Sequence, residues 1–155
     1  MSDIKTLAIV GASGNVGEVV LPTLLQKTNL KITVISRPES KATFPPNVQV
    51  LRASVDDPSS FEKAFQGQDA VLCLISPFEV SKEGMIVDAA IKMGVKYFIP
   101  SEFGHDTTDP KVLEVLPIFK AKRAVIKNLE SHEAKMGWTG IITGLFLDWV
   151  STPYR

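Results

Sequence analysis

The sequence predicts an α/β fold with a doubly wound parallel sheet. Short apolar runs alternate with stretches of helical periodicity along the chain. The runs are nearly unbroken in hydrophobicity, as strands covered on both faces are. A glycine-rich turn joins the first run to the first helical stretch. Right-handed crossovers then put helices on both sides of the sheet. Ligands of such sheets bind beyond the carboxyl ends of the strands.

Each element has its own reason. Residues 7–10 (LAIV), closed by Gly11, read as a buried strand. From Asn15 to about Gln26, Val16, Val19, Val20 and Leu24 recur at helical spacing, and Pro22 lies beyond the first turn, where it should kink the helix or mark an irregular turn. Residues 31–36 (KITVIS) are β-branched and form a second strand, and 40–47, with two prolines, a loop. Residues 48–51 are a weaker third strand. Asp57-Pro58-Ser59-Ser60 is a helix start with proline near the first helical position; Phe61, Ala64 and Phe65 give that helix its apolar face, and Gly67 ends it. Residues 70–75 are a fourth strand. Residues 83–93 form a helix with Met85, Ile86, Ala89, Ala90 and Met93 inward and Gly94 as its cap. Residues 97–100 are a fifth strand, and 104–117 a polar loop with room for one helical turn. A long helix is expected over 118–136, stopped by Gly137, followed by a sixth strand over 139–146.

Composition narrows the function. The 155 residues suit one domain. Lys plus Arg number 17 and Asp plus Glu 17, which argues against a strongly basic nucleic-acid binder or a polybasic membrane docker. A single cysteine, Cys73, permits no internal disulfide and sits in an apolar run as a buried, inert thiol. The N-terminus lacks the basic and apolar regions of a signal peptide, and no apolar run approaches the roughly 18 residues of a membrane span. A cytoplasmic protein is the expectation.

The string Gly11-Ala12-Ser13-Gly14-Asn15-Val16-Gly17 follows the first strand and opens the first helix. Gly11 permits the tight turn, Gly14 lets a pyrophosphate approach the backbone, and Gly17 allows helix and strand to pack closely. Free amides and the positive end of the helix dipole favour phosphate oxygens. No Lys-Ser or Lys-Thr pair follows, against a nucleoside-triphosphate loop. The second strand ends Ile35-Ser36-Arg37, where an acidic residue would favour NAD. Small Ser36 and cationic Arg37 favour NADP, because the guanidinium can fork onto a 2′-phosphate. Lys41 is a second cation for it, and Glu39 a competing partner for the ribose.

With the glycine loop, Arg37, IPSEFG at 99–104 and ITGLFLDW at 142–149 in view, the sequence resembles the isoflavone-reductase-like branch of the NmrA-like family, especially its fungal members. These are atypical short-chain dehydrogenase/reductase folds with a Rossmann-like NADP domain. The resemblance covers about residues 5–150. It implies NADPH as cofactor and reduction of small aromatic or carbonyl molecules. The family's catalytic lysine, early in the helix after the PSEFG loop, matches Lys122, with Lys120 the near alternative; apart from the resemblance, Lys120, Lys122, Arg123 and Lys127 read as a solvated basic face. It also implies that Ser76 and Pro77 border the cofactor and that Phe103, beside Ser101 and Glu102, lies on the nicotinamide side. Glu102 reads as a structural hydrogen-bond acceptor holding its loop.

Some features depart from that pattern or carry little. The Tyr-x-x-x-Lys of ordinary short-chain dehydrogenases is absent, and Ser54 stands where relatives often have Asp near the adenine. His105, Asp106 and Asp109 match no metal-ligand spacing, so no metal is expected. Trp149 and Phe146 read as core or interface anchors. The NmrA side of the family includes regulators without reduction chemistry, so a dinucleotide-binding sensor with a protein partner is the alternative function. Relatives of this kind run to roughly twice this length. Residues 1–155 are therefore expected to be the cofactor domain, with the substrate-binding part largely absent and a truncated, inactive product a third possibility.

Overall fold

A computed structural model of the chain describes residues 3–146. It contains a six-stranded sheet, all parallel, in the order β3-β2-β1-β4-β5-β6. The strands are β1 (Thr6–Val10), β2 (Lys31–Ser36), β3 (Gln49–Arg52), β4 (Ala70–Cys73), β5 (Tyr97–Ile99) and β6 (Gly137–Trp138). The helices are α1 (Gly17–Lys27), α2 (Pro58–Phe65), α3 (Glu83–Lys92), α4 (Pro110–Val115) and α5 (Lys120–Ser131). The order reverses at β1: the chain moves to one side through β2 and β3, then returns to place β4 on the other. That reversal opens a crevice at the carboxyl ends of β1 and β4.

The strands divide their side chains between two cores. Leu7, Ile9, Ile32, Val34 and Leu72 face Leu21 and the rest of α1. Ala8, Val10, Ile35, Val71, Cys73 and Phe98 face residues of α2, α3 and α5, among them Phe61, Phe65, Ile86, Val87, Ile126 and Leu129. The period of two along β1 puts alternate residues into opposite cores, which is why these runs are apolar throughout. Helix α1 runs on through Pro22. Helices α2 and α4 begin as the Asp-Pro pairs direct: Asp57 accepts the Ser59 N–H and Asp109 the Lys111 N–H, with proline at the next position.

At the foot of the sheet Asp69 ties three strands together. Its carboxylate accepts the Lys5 and Thr6 N–H groups at 2.9 and 3.0 Å and pairs with Lys96 Nζ at 2.6 Å. These contacts, led by the Lys96 bond, hold its carboxyl well below the usual carboxylate range.

Three boundaries differ from the sequence reading. The expected helix over 118–136 is a 3-10 turn over Pro117–Phe119, then α5, which stops at Ser131. Ser131 Oγ donates to the Asn128 carbonyl, and His132 Nδ1 meets the same oxygen at 2.9 Å, so side chains occupy the acceptor another helical turn would use. The sixth strand is Gly137–Trp138 rather than 139–146. Thr139 adds one more bond to the Phe98 carbonyl, after which the chain leaves the sheet; Ile141, Ile142 and Leu145, whose apolar run suggested a strand, are 39%, 48% and 65% exposed. The regular part of β4 ends at Cys73, with one further ladder bond from the Leu74 N–H to the Val10 carbonyl. Trp149, read as an anchor, lies outside the described residues.

Candidate functional site

The glycine loop caps the carboxyl end of β1. Gly11 has φ +83°, and a Cβ there would lie 2.5 Å from the Leu74 carbonyl oxygen, so the loop fits against β4 only with glycine. At Gly17 a Cβ would lie 2.5 Å from the Ala12 backbone, which accounts for the third glycine by packing alone. Gly14 differs. A Cβ there would meet the Gly11 carbonyl oxygen at 3.4 Å, an ordinary contact, so neither crowding within the chain nor a positive φ explains this glycine. Its bare α-carbon leaves room for a ligand to approach the backbone.

Two of the loop's hydrogen bonds turn it into α1, Gly14 N–H to the Gly11 carbonyl and Glu18 N–H to the Gly14 carbonyl. The amides of Ser13, Asn15 and Val16 have no acceptor among the described residues, and no side chain caps α1. Uncapped amides at a helix N-terminus form a site of positive potential.

A cleft of about 220 Å³ adjoins this loop. Gly11, Ala12, Ser13 and Gly14 line it, with Ser36 and Arg37 from the end of β2 and Ser76 and Glu79 from the segment after β4. Phe61 and Ile86 contribute apolar wall. The structure thus brings seven of the predicted residues to one cavity. Asn15, Val16, Gly17, Lys41, Pro77, Phe103 and Lys122 lie outside its lining. Asn15 to Gly17 continue the loop into α1, and Pro77 directly follows Ser76.

The rim segment after β2 is held by a residue the sequence reading passed over. Arg52, at the end of β3, donates from Nη1 to Ser36 Oγ at 3.0 Å, to the Arg37 carbonyl at 2.9 Å and to the Ser40 carbonyl at 3.2 Å. Arg37 itself lies between two carboxylates: its Nε is 3.4 Å from Glu39 and its Nη1 3.7 Å from Glu79.

A second polar cluster is buried behind the ends of β4 and β5. Glu83, in the first turn of α3, accepts the Ser101 N–H at 2.7 Å, while Ser101 Oγ donates to the Ile75 carbonyl at 2.8 Å. Glu83 also contacts the Cys73 thiol. Burial, against the hydrogen bonds that favour its ionised form, pushes the Glu83 carboxyl up to about 7. Burial, with Glu83 adding to it, pushes the Cys73 thiol up as well, which fits an inert cysteine. The sequence held no signal for this site beyond an acidic residue in a helix first turn, since only tertiary contact buries Glu83.

Glu102 carries out the loop-holding role expected of it, accepting from Thr107 Oγ1 at 2.8 Å. Lys122 is not on a solvated basic face. It is 6% exposed, donates from Nζ to the Glu102 carbonyl and lies 5.6 Å from the Phe119 ring centre. Burial lowers its ammonium pKa, while the carboxylates of Glu102 and Glu83 act in the opposite sense. Lys120 is exposed. Phe103 has φ +29°, a strained value for an aromatic residue, in the loop that offers Lys122 its carbonyl. Asp106 accepts from Thr108 and Asp109 caps α4, so both act in turns, and His105 lies against the Phe119 ring with centroids 5.7 Å apart.

The family model described as the NmrA-like family matches residues 3–155. The chain belongs to the NmrA-like family. It is 35% identical to an Aspergillus flavus protein named oxidoreductase aprR over 90% of this chain and 48% of that one. It is 27% identical to an isoflavone reductase of Pisum sativum over 85% of this chain and 48% of that protein. The NmrA-like chain thus spans about half the length of the curated relatives it matches. Its fold also matches the crystal structure of the Citrobacter sp. triphenylmethane reductase complexed with NADP(H), with a TM-score of 0.78 and 23% identity over 93% of this chain and 51% of that one. The matches bear out the resemblance seen in the sequence, and the fold match agrees with the parallel sheet and flanking helices. No helix among the described residues is long and apolar enough to cross a membrane.

Proposed function

We propose that this NmrA-like chain binds NADPH over its glycine loop and forms the cofactor half of a reductase acting on a small aromatic or carbonyl molecule. One observation carries the reading: the open amides and bare α-carbon of the Gly11–Gly17 loop share a cleft with Ser36 and Arg37, so one cavity offers both a pyrophosphate site and a 2′-phosphate site. The names of its relatives support the same reading.

In this reading the amides of Ser13, Asn15 and Val16 hold the pyrophosphate. Gly11, Ala12, Gly14 and Gly17 shape the turn, and Arg37 with Lys41 holds the 2′-phosphate. Ser36 leaves space where an acidic side chain would repel it, Ser76 and Pro77 border the cofactor, and Phe103 faces the nicotinamide side. When bound, the reduced nicotinamide supplies a hydride. Lys122 supplies the matching proton from Nζ to the substrate oxygen, and its burial, by lowering the ammonium pKa, makes that proton easier to release. The balanced charge supports a small-molecule partner rather than nucleic acid, and the lone cysteine fits a reducing, cytoplasmic compartment.

One observation favours a second reading, a dinucleotide-binding regulator with a protein partner. The Lys122 ammonium is buried on the Glu102 carbonyl, and Lys122 is not among the residues that line the cleft. Calorimetry with NADPH and NADH, followed by NADPH oxidation with a panel of small aromatic and carbonyl compounds, separates the readings. Tighter binding of NADPH with turnover that Lys122→Met abolishes supports the reductase. Tight NADPH binding without turnover favours the regulator, and equal affinities for the two dinucleotides sink the NADP preference.

A further inference from the structure

Arg37 sits at the end of β2 and Glu79 in the segment after β4, and between those two strands lies β1. Their ion pair, 3.7 Å from Nη1 to Oε1, therefore spans the crevice at the carboxyl end of β1, and both residues line the 220 Å³ cleft. Glu39 adds a second carboxylate at 3.4 Å on the Nε side, but it lies two residues from Arg37 on the same rim segment. Glu79 belongs to the opposite wall. It is the residue that fastens the guanidinium across the opening.

We infer that Glu79 sets the dinucleotide preference of this site by holding Arg37 and competing with a 2′-phosphate for its guanidinium. The inference rests on the cofactor reading above. A 2′-phosphate brought onto the Arg37 guanidinium takes donors from the face that Glu79 holds and sets a second negative charge beside that carboxylate, so NADPH binds against the pair and against its repulsion. A dinucleotide with a free 2′-hydroxyl makes no such demand on Arg37 and leaves the pair in place. Glu79 thus opposes the phosphorylated cofactor and is neutral toward the other. The pair is exposed, with side-chain accessibilities of 64% and 39%, and an exposed pair is worth at most about five-fold in an equilibrium, so this device adjusts preference without deciding it.

The test is calorimetric titration of NADPH and NADH into the wild-type chain, Glu79→Gln, Arg37→Ala and the double variant. Glu79→Gln is expected to tighten NADPH about two- to five-fold and leave NADH unchanged, and the gain is expected to vanish in the Arg37→Ala background. An unchanged or reduced ratio of NADPH to NADH affinity in Glu79→Gln overturns the inference, as does a gain that persists without Arg37. Failure of the wild-type chain to bind NADPH, with a native circular-dichroism spectrum, overturns the cofactor reading and the inference together. A wild-type chain that binds NADPH with no Glu79→Gln effect overturns the inference alone.

Discussion

The Glu83 carboxylate accepts the main-chain N–H of Ser101 at 2.7 Å, joining the first turn of α3 to the residue that follows β5. Cys73 on β4, Glu102 in the loop after β5 and Lys122 on α5 are the other titratable groups acting on Glu83. Burial raises its pKa from 4.5 to about 7. The folded chain therefore binds a proton that the unfolded chain has released between those values, and stability falls as pH rises through that window. At about 1.4 kcal/mol per pKa unit, the loss between pH 4.5 and pH 8 is of the order of 3 kcal/mol. Urea unfolding at pH 5 and pH 8 measures it, and Glu83→Gln is expected to remove most of the difference. A wild-type stability that does not fall over this range contradicts the assignment.

Gly14 and Gly17 separate ligand approach from packing. Gly17→Ala drives a methyl group to 2.5 Å from the Ala12 backbone and is expected to cost about 1–3 kcal/mol of stability. Gly14→Ala meets only an ordinary contact at 3.4 Å and should fold with a Tm near that of the wild type while losing NADPH affinity. Thermal melts and calorimetry on the two variants check the split. A Gly14→Ala chain that binds normally would remove the pyrophosphate from this loop.

Arg52 holds the rim segment by three hydrogen bonds from one nitrogen. Arg52→Ala is expected to cost about 1–3 kcal/mol and to weaken NADPH binding although Arg52 is not in the cleft lining, because Arg37 loses its fixed backbone. Arg52→Lys is expected to restore part of the loss, since its ammonium carries three N–H donors on one nitrogen, as the three acceptors require, but on a shorter stem. Denaturant midpoints and calorimetric Kd values measure both effects.

Asp69 makes the opposite pH prediction from Glu83. Its pKa lies well below the ordinary value of 3.8, so its contribution is present above that value and is lost as pH falls through the folded pKa. Asp69→Asn is expected to lower Tm at neutral pH, with a gap from the wild type that narrows progressively below about pH 3.8.

The sequence by itself determined the elements whose cause is local. Unbroken apolar runs set β1 and β4, a β-branched run set β2, an Asp-Pro pair set the start of α2, and three glycines set the turn at the end of β1. Parallel order followed from the alternation of strands and helices. Ser36 and Arg37 were legible because a strand end beside a glycine loop has a fixed place in such a sheet. Tertiary structure alone decided the rest. The stretch over 139–146 has a strand's hydrophobicity, but the chain leaves the sheet after Thr139, and Ile141, Ile142 and Leu145 stay exposed. Lys122 sits among lysines and arginines that look solvated until α5 packs and its ammonium meets the Glu102 carbonyl. Arg52, Glu79 and Glu83 are ordinary charged residues in the sequence. Their roles arise from partners far away along the chain, and pattern and spacing carry no information about which distant group will be brought within hydrogen-bond or ion-pair distance.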